Sequence, residues 1–157
     1  MQIDLFSVML SLFAGLVATG VMIIIEIPFW NRWGVTGILE WHENQILSSK
    51  FFGISPTNIH FTGIFLLHFL NGSIGGFGIL LGMVLFPSLR DVNLLVLGPL
   101  YGLLLWVLTL LTIHKPITGI DPFKHPLGKG PVIVSFAGHI IYGISLIGVL
   151  MILGKQN

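Results

Sequence analysis

Four long apolar runs, Leu5–Ile25, Phe61–Leu85, Leu94–Ile113 and Pro131–Leu153, dictate the architecture of this chain. Each is close to the roughly 20 mostly apolar residues that a helix needs to cross a hydrocarbon core of about 30 Å. Their polar interruptions are few: Ser7, Ser11 and Thr19 in the first, and Thr62, His68, Asn71 and Ser73 in the second. The third carries Pro99 and two threonines; the fourth carries Ser135, His139 and Ser145. None of the runs alternates as the strands of a membrane barrel do. Helices are then the form that satisfies the backbone in lipid. The expected fold is all-α and integral to the membrane, a bundle of four transmembrane helices in one domain. The first run has no Lys or Arg before it and is too long for a cleavable signal, so it is expected to stay as a span.

Composition agrees. Charged residues make up 8% of the chain and hydrophobic residues 54%, whereas a soluble domain carries about 25% charge. A net charge of +1 leaves no basic footprint for nucleic acid. The absence of cysteine excludes disulfides, iron–sulfur clusters, thiol nucleophiles and Cys-ligated zinc.

Four spans put both termini on one side and loops 1 and 3 on the other. Arg32, Lys50, Lys115, Lys124 and Lys129 lie on the loop 1/3 side, against Arg90, Lys155 and the terminal amine opposite. By the positive-inside rule, loops 1 and 3 are expected in the cytoplasm of a plasma-membrane protein, with the termini outside.

The chain also repeats itself. Glu26-Ile-Pro28 with Thr36-Gly37-Ile38 follows the first run, and His114-Lys-Pro116 with Thr118-Gly119-Ile120 follows the third. His68-x-x-x-Gly72 in the second matches His139-x-x-x-Gly143 in the fourth. A two-helix duplication is expected, its halves related by an axis along the membrane normal. His68 and His139 then lie at matching depth, roughly 10–12 Å into their spans at 1.5 Å per residue. Glu26 and His114 close the first and third spans at the same face. All six histidines gather at that end, together with Glu26, Glu40 and Glu43.

Imidazole suits copper, zinc and iron, and carboxylate adds oxygen donors. His68 and His139, with Glu26 and His114 in or near the first shell, are therefore candidate metal ligands. A His pair at equal depth could hold copper, or clamp haem b from both faces, and intramembrane ionisable groups point to function. The competing reading is polar glue: His68 with Asn71, and His139 with Ser135 and Tyr142, are spaced for interhelical hydrogen bonds. Glu26 and His114 could equally form an ion pair at the boundary. His42, His60 and His125 are expected to be solvated at the interface. Gly72-x-x-x-Gly76 and Gly78-x-x-x-Gly82 allow close helix packing, and Pro99 could kink its span.

In loop 1, Val35, Ile38, Leu39, His42 and Ile46 follow helical spacing, opposite Glu40, Glu43, Asn44 and Leu47. With Trp30, Trp33 and Trp41 nearby, residues 35–47 are expected to form an aromatic anchor helix in the interface. A lid carrying Glu40 or Glu43 over the histidines is the alternative. Loop 3, rich in Pro and Gly, is expected to be ordered coil.

Gly37-Ile-Leu-Glu-Trp41-His-Glu-Asn44-Gln45 and His125-Pro-Leu-Gly128 resemble runs in small archaeal membrane proteins. Some of these are accessory subunits of ammonia monooxygenase, in the copper membrane monooxygenase family. Asp121-x-x-x-His125 followed by His139 is similar to that family's Asp-x3-His-x12-His copper motif, although here the second gap is longer by one residue. The resemblance implies an accessory subunit of a membrane oxidase complex, bound to other integral membrane subunits that house catalysis. A redox protein holding copper or haem between His68 and His139 is the second expectation. Transport is a third, and a poor one, because four helices enclose little space.

Overall fold

The computed structural model describes residues 4–154 and, among them, contains helices and turns but no strand. Helix α1 (Leu5–Trp33) starts at Asp4, whose side chain accepts the Ser7 N–H at 2.7 Å. That bond holds the exposed Asp4 carboxyl below its ordinary range. The helix then runs unbroken through Pro28, well past the end of the apolar run, and carries Glu26 inside itself. It stops at Gly34, whose φ of 69° suits glycine. After a 3-10 turn at Val35–Gly37, α2 (Leu39–Phe52) ends on the left-handed Gly53. Helix α3 (Phe61–Leu85) has the extent expected of its run.

Helix α4 (Leu94–Thr109) passes through Pro99 and continues as a π turn at Leu110–His114 and a short α5 (Lys115–Thr118). The third span therefore reaches Thr118 instead of stopping at Ile113. Helix α6 (Gly130–Gly154) is the fourth. All four spans are long and apolar enough to cross a membrane, and the large side chains on their outer faces, such as Leu66, Leu70, Ile74, Leu104 and Ile144, are exposed. Lipid, not water, suits such a surface. The chain is an integral membrane protein built as a four-helix bundle. Of the positive-inside count, Lys155 and the terminal amine lie outside the described residues.

Small residues set the packing. Gly15 of α1 lies against Gly72 and Ser73 of α3, and Gly76 against Ser11 and Gly15. Gly98 and Gly102 of α4 lie against the backbone of α6 at Gly143 and His139. Each half is thus a tightly packed hairpin, as a duplication requires. Between the halves the symmetry fails: α1 packs along α6, whereas α3 and α4 touch little. That side is bridged by Tyr101, whose hydroxyl donates to the Gly75 carbonyl, and by Tyr142, which donates to the Gly72 carbonyl at 2.6 Å. The imbalance leaves room between α3 and α4, and the site sits there.

Candidate functional site

Helix α2 is the element that the sequence reading misplaced. It lies against α3 and over the end of the bundle, and as far as Ser49 it is covered on every side, apolar Leu39 and Trp41 as fully as its polar residues. His42, Glu43, Asn44, Gln45, Ser48 and Ser49 are buried, whereas Phe51 and Phe52 are exposed. Trp41 is not an interfacial anchor: it is 1% exposed and packs edge-on to Phe65. Gln45 pins the following loop by donating to the Asn58 carbonyl at 2.7 Å and accepting the His60 N–H at 3.0 Å. Polar groups face inward because what they meet there is polar. The lid alternative describes α2 better than the anchor.

Beneath it three acid–imidazole pairs converge from five elements. Glu26 of α1, fully buried, accepts the Trp41 indole N–H at 2.7 Å. Its Oε2 lies 3.9 Å from His68 Nε2 of α3, beyond hydrogen-bond reach. Glu40 accepts the Ser135 hydroxyl and lies 3.4 Å from His139 Nδ1 of α6. Glu43 is 2.8 Å from His114 Nδ1 at the end of the π turn. Burial pushes the Glu43 carboxyl up, the His114 hydrogen bond pulls it down, and the nearby Glu40 adds repulsion.

The structure thus brings together the predicted candidates unevenly. Glu26 and His68 meet; His139 shares their surroundings, lining the same cavity as His68. His114 joins Glu43 instead, and Glu26 is not its partner. Glu40, Glu43, Asn44 and Trp41 are the members that sequence reasoning left in the interface. Their available signal was spacing: Glu40, Glu43 and Asn44 share one helical face, in a chain with six acidic residues in all.

His68, His139, Glu40, Glu43, Asn44 and Asn71 help to line a cavity of about 110 Å³, together with Thr109 and Tyr142. At ~30 Å³ each, it has room for roughly three or four waters. Organic ligands occupy pockets of roughly 300–1,000 Å³, several times this volume. Nowhere among the described residues are three His, Asp or Glu side chains drawn into metal-ligand geometry.

Hydrogen bonds assign the tautomers. Asn44 Oδ1 accepts from Asn71 Nδ2, so the Asn44 amide donates to His68 Nδ1, both at 3.4 Å. His68 therefore carries its proton on Nε2, facing Glu26. His139 Nδ1 lies 3.0 Å from the Ser135 carbonyl and donates to it, which leaves Nε2 as an acceptor beside Thr109 at 3.4 Å. Glu26 Oε1, Glu40 Oε2 and His68 Nε2 are buried without a hydrogen-bond partner among the described residues.

The remaining histidines are not solvated as expected. His125 is buried; its Nε2 donates to the Thr36 carbonyl at 3.0 Å and its Nδ1 accepts the Leu127 N–H at 3.1 Å, which ties loop 3 to loop 1. Burial lowers its pKa, though the Thr36 contact opposes this. His42 is held down to about 4, first by burial and then by the neighbouring His114 and His125. His60 is half-buried against Phe52. Asp121 caps a 3-10 turn through the Phe123 N–H and lies 3.6 Å from Lys115. Asp121 and His125 are thus engaged away from the cavity that His139 lines. Among known proteins, no family model, curated protein or solved structure matches the chain.

Proposed function

We propose that this chain is an accessory membrane subunit that takes up and hands on protons at one face of the bilayer, within a larger integral membrane oxidase or monooxygenase complex. One observation carries the reading. The Glu26–His68 pair is buried and separated by 3.9 Å, with a free atom on each partner, beside a water-sized cavity that a second pair, Glu40–His139, also reaches. A bare buried carboxylate is costly, so a proton or an imidazolium must neutralise it. Here both are at hand, and a small side-chain rotation would close the gap to hydrogen-bond distance. His68 offers an N–H and His139 a lone pair, so the cavity presents a donor and an acceptor together. Such groups inside a membrane are characteristic of proton relays.

The cavity lies toward the loop 1/3 end. Deeper in the bundle Ala14, Ala18, Ile79, Leu97 and Leu146 form a packed apolar plug. A site confined to one end of the bundle does not conduct across the membrane alone; it serves chemistry or transport in a partner. With loops 1 and 3 cytoplasmic, that face is the inner one. The first glycine stripe does not supply the partner surface, since Gly72 and Gly76 are spent on α1, and in the second Gly78 is covered by Tyr101; the partner would meet the lipid-facing side chains.

Infrared titration of the protein in nanodiscs tests the acid–base part. A buried protonated-carboxyl band should appear and titrate in the wild type, and Glu26→Gln should remove one component of it. A wild type without a titrating carboxyl band overturns the reading. Gentle solubilisation of native membranes tests the accessory part, which fails if the chain is recovered alone.

A further inference from the structure

His42 and His114 take no part in that cavity, and both have a ring nitrogen to spare. His114 is fully buried, and its Nδ1 side is occupied by Glu43 at 2.8 Å. A carboxylate at Nδ1 draws the proton to that nitrogen and leaves Nε2 as a lone pair. This Nε2 is buried without a hydrogen-bond partner among the described residues, and so is His42 Nδ1. The two ring centroids are 6.1 Å apart, tilted by 60°. A direct N–H···N bond would hold the rings closer, at roughly 5 Å. An imidazole centroid sits roughly 3 Å from an ion bound at about 2.0–2.1 Å, so two rings opposed across one ion lie about 6 Å apart.

We infer that His42 and His114 form a second site, adjoining the cavity only through Glu43, for a single two-coordinate transition-metal ion, with Glu43 as the carboxylate that orients His114. A carboxylate behind a ligating imidazole fixes its tautomer and raises its basicity. Two nitrogens at a wide angle match a monovalent d¹⁰ ion such as Cu(I). Zinc, which normally takes four ligands, is offered too few. His125 is not a third ligand, because both of its nitrogens are bonded to backbone. The π turn makes the site possible: the extra residue that it accommodates turns His114 toward α2, and π turns recur at functional sites.

The experiment uses the full chain in detergent micelles, stripped with a chelator and titrated with Ag(I) and, anaerobically, with Cu(I) against a chromophoric competitor. One ion should bind per chain. His42→Asn and His114→Gln should each weaken binding by more than about 100-fold, beyond the 10–100-fold typical of an outer-shell change, which Glu43→Gln should show. His68→Gln should bind as the wild type does, which separates this site from the proton cavity. The inference is overturned if the wild type binds no ion, if binding survives both histidine substitutions, or if His68→Gln abolishes it equally. Should His42→Asn or His114→Gln fail to fold, X-ray absorption on the loaded wild type decides. Two nitrogen neighbours with imidazole scattering support the site, and a shell of oxygen or sulfur overturns it.

Discussion

The Glu26 carboxylate is held in place by one strong donor. Trp41 supplies it from α2 at 2.7 Å, with both groups almost wholly buried. Trp41→Phe keeps an aromatic ring against Phe65 but deletes the N–H, leaving Glu26 with neither oxygen hydrogen-bonded among the described residues. An unsatisfied buried group costs about 1–3 kcal/mol, more when charged. The variant should therefore unfold at lower temperature in detergent, and Glu26→Gln in the same background should recover part of the loss. If Trp41→Phe melts with the wild type, the bond is not what keeps Glu26 in place. His42 gives a second test, on metal-stripped protein. Its folded-state pKa of about 4 lies below the ordinary 6.5, so the unfolded chain binds more protons between those values. Stability then falls as pH drops from about 6.5 to 4. Glu43, pushed up in the fold, acts in the opposite sense, its contribution fading as pH rises above its ordinary value. His42→Asn should flatten the acid side of the melting-temperature profile, and an unchanged acid slope would count against a buried neutral His42.

At the scale of elements, the spans were legible and α2 was not, for one physical reason. A run of about 20 apolar residues has one stable place in a membrane protein, so α3 could be read to the residue. An amphipathic segment has two: its polar face can meet water, or it can meet buried polar groups on neighbouring helices. Nothing local to residues 39–52 distinguishes these. The decision is made by Glu26, His68 and His139 on other helices, which supply partners for Trp41, Asn44 and Glu40. Glu26 falls at a boundary in the sequence because the apolar run ends at Ile25, whereas α1 continues to Trp33 and carries Glu26 inside it. The π turn was equally invisible, since no residue type marks it. Its effect can be tested. Deleting Leu110 would restore α-helical register and swing His114 by about 100°, one residue's rotation at 3.6 residues per turn. The Glu43 contact should be lost. A cysteine pair replacing Glu43 and His114 should crosslink in the full-length chain and not in the deletion; equal crosslinking in both would mean that the turn does not aim His114.

For the whole molecule, the cavity exists because the two hairpins meet on one side only, and the hairpins are held by backbone-close glycine contacts. Gly102 and Gly143 lie where a Cβ would collide with backbone of the partner helix, and neither backbone can yield cheaply. Gly102→Leu should destabilise by at least the roughly 1–3 kcal/mol typical of overpacking, whereas Gly148→Ala, with open space at the Cβ position, should be neutral. Similar melting of the two variants would refute the packing scheme.

Which compartment the cavity faces follows from orientation, and the cysteine-free sequence makes that measurable. Ser88 lies in the exposed turn after α3, and Phe123 in the exposed loop before α6, at opposite ends of the bundle. In intact cells, a membrane-impermeant thiol reagent should label Ser88→Cys directly. Phe123→Cys should be labelled only after permeabilisation, because the Lys and Arg residues of loops 1 and 3 favour the inner face. The reverse pattern would place the acid–imidazole cavity outside, so its protons would exchange with the external medium. A proton-handling partner would then have to work on that face.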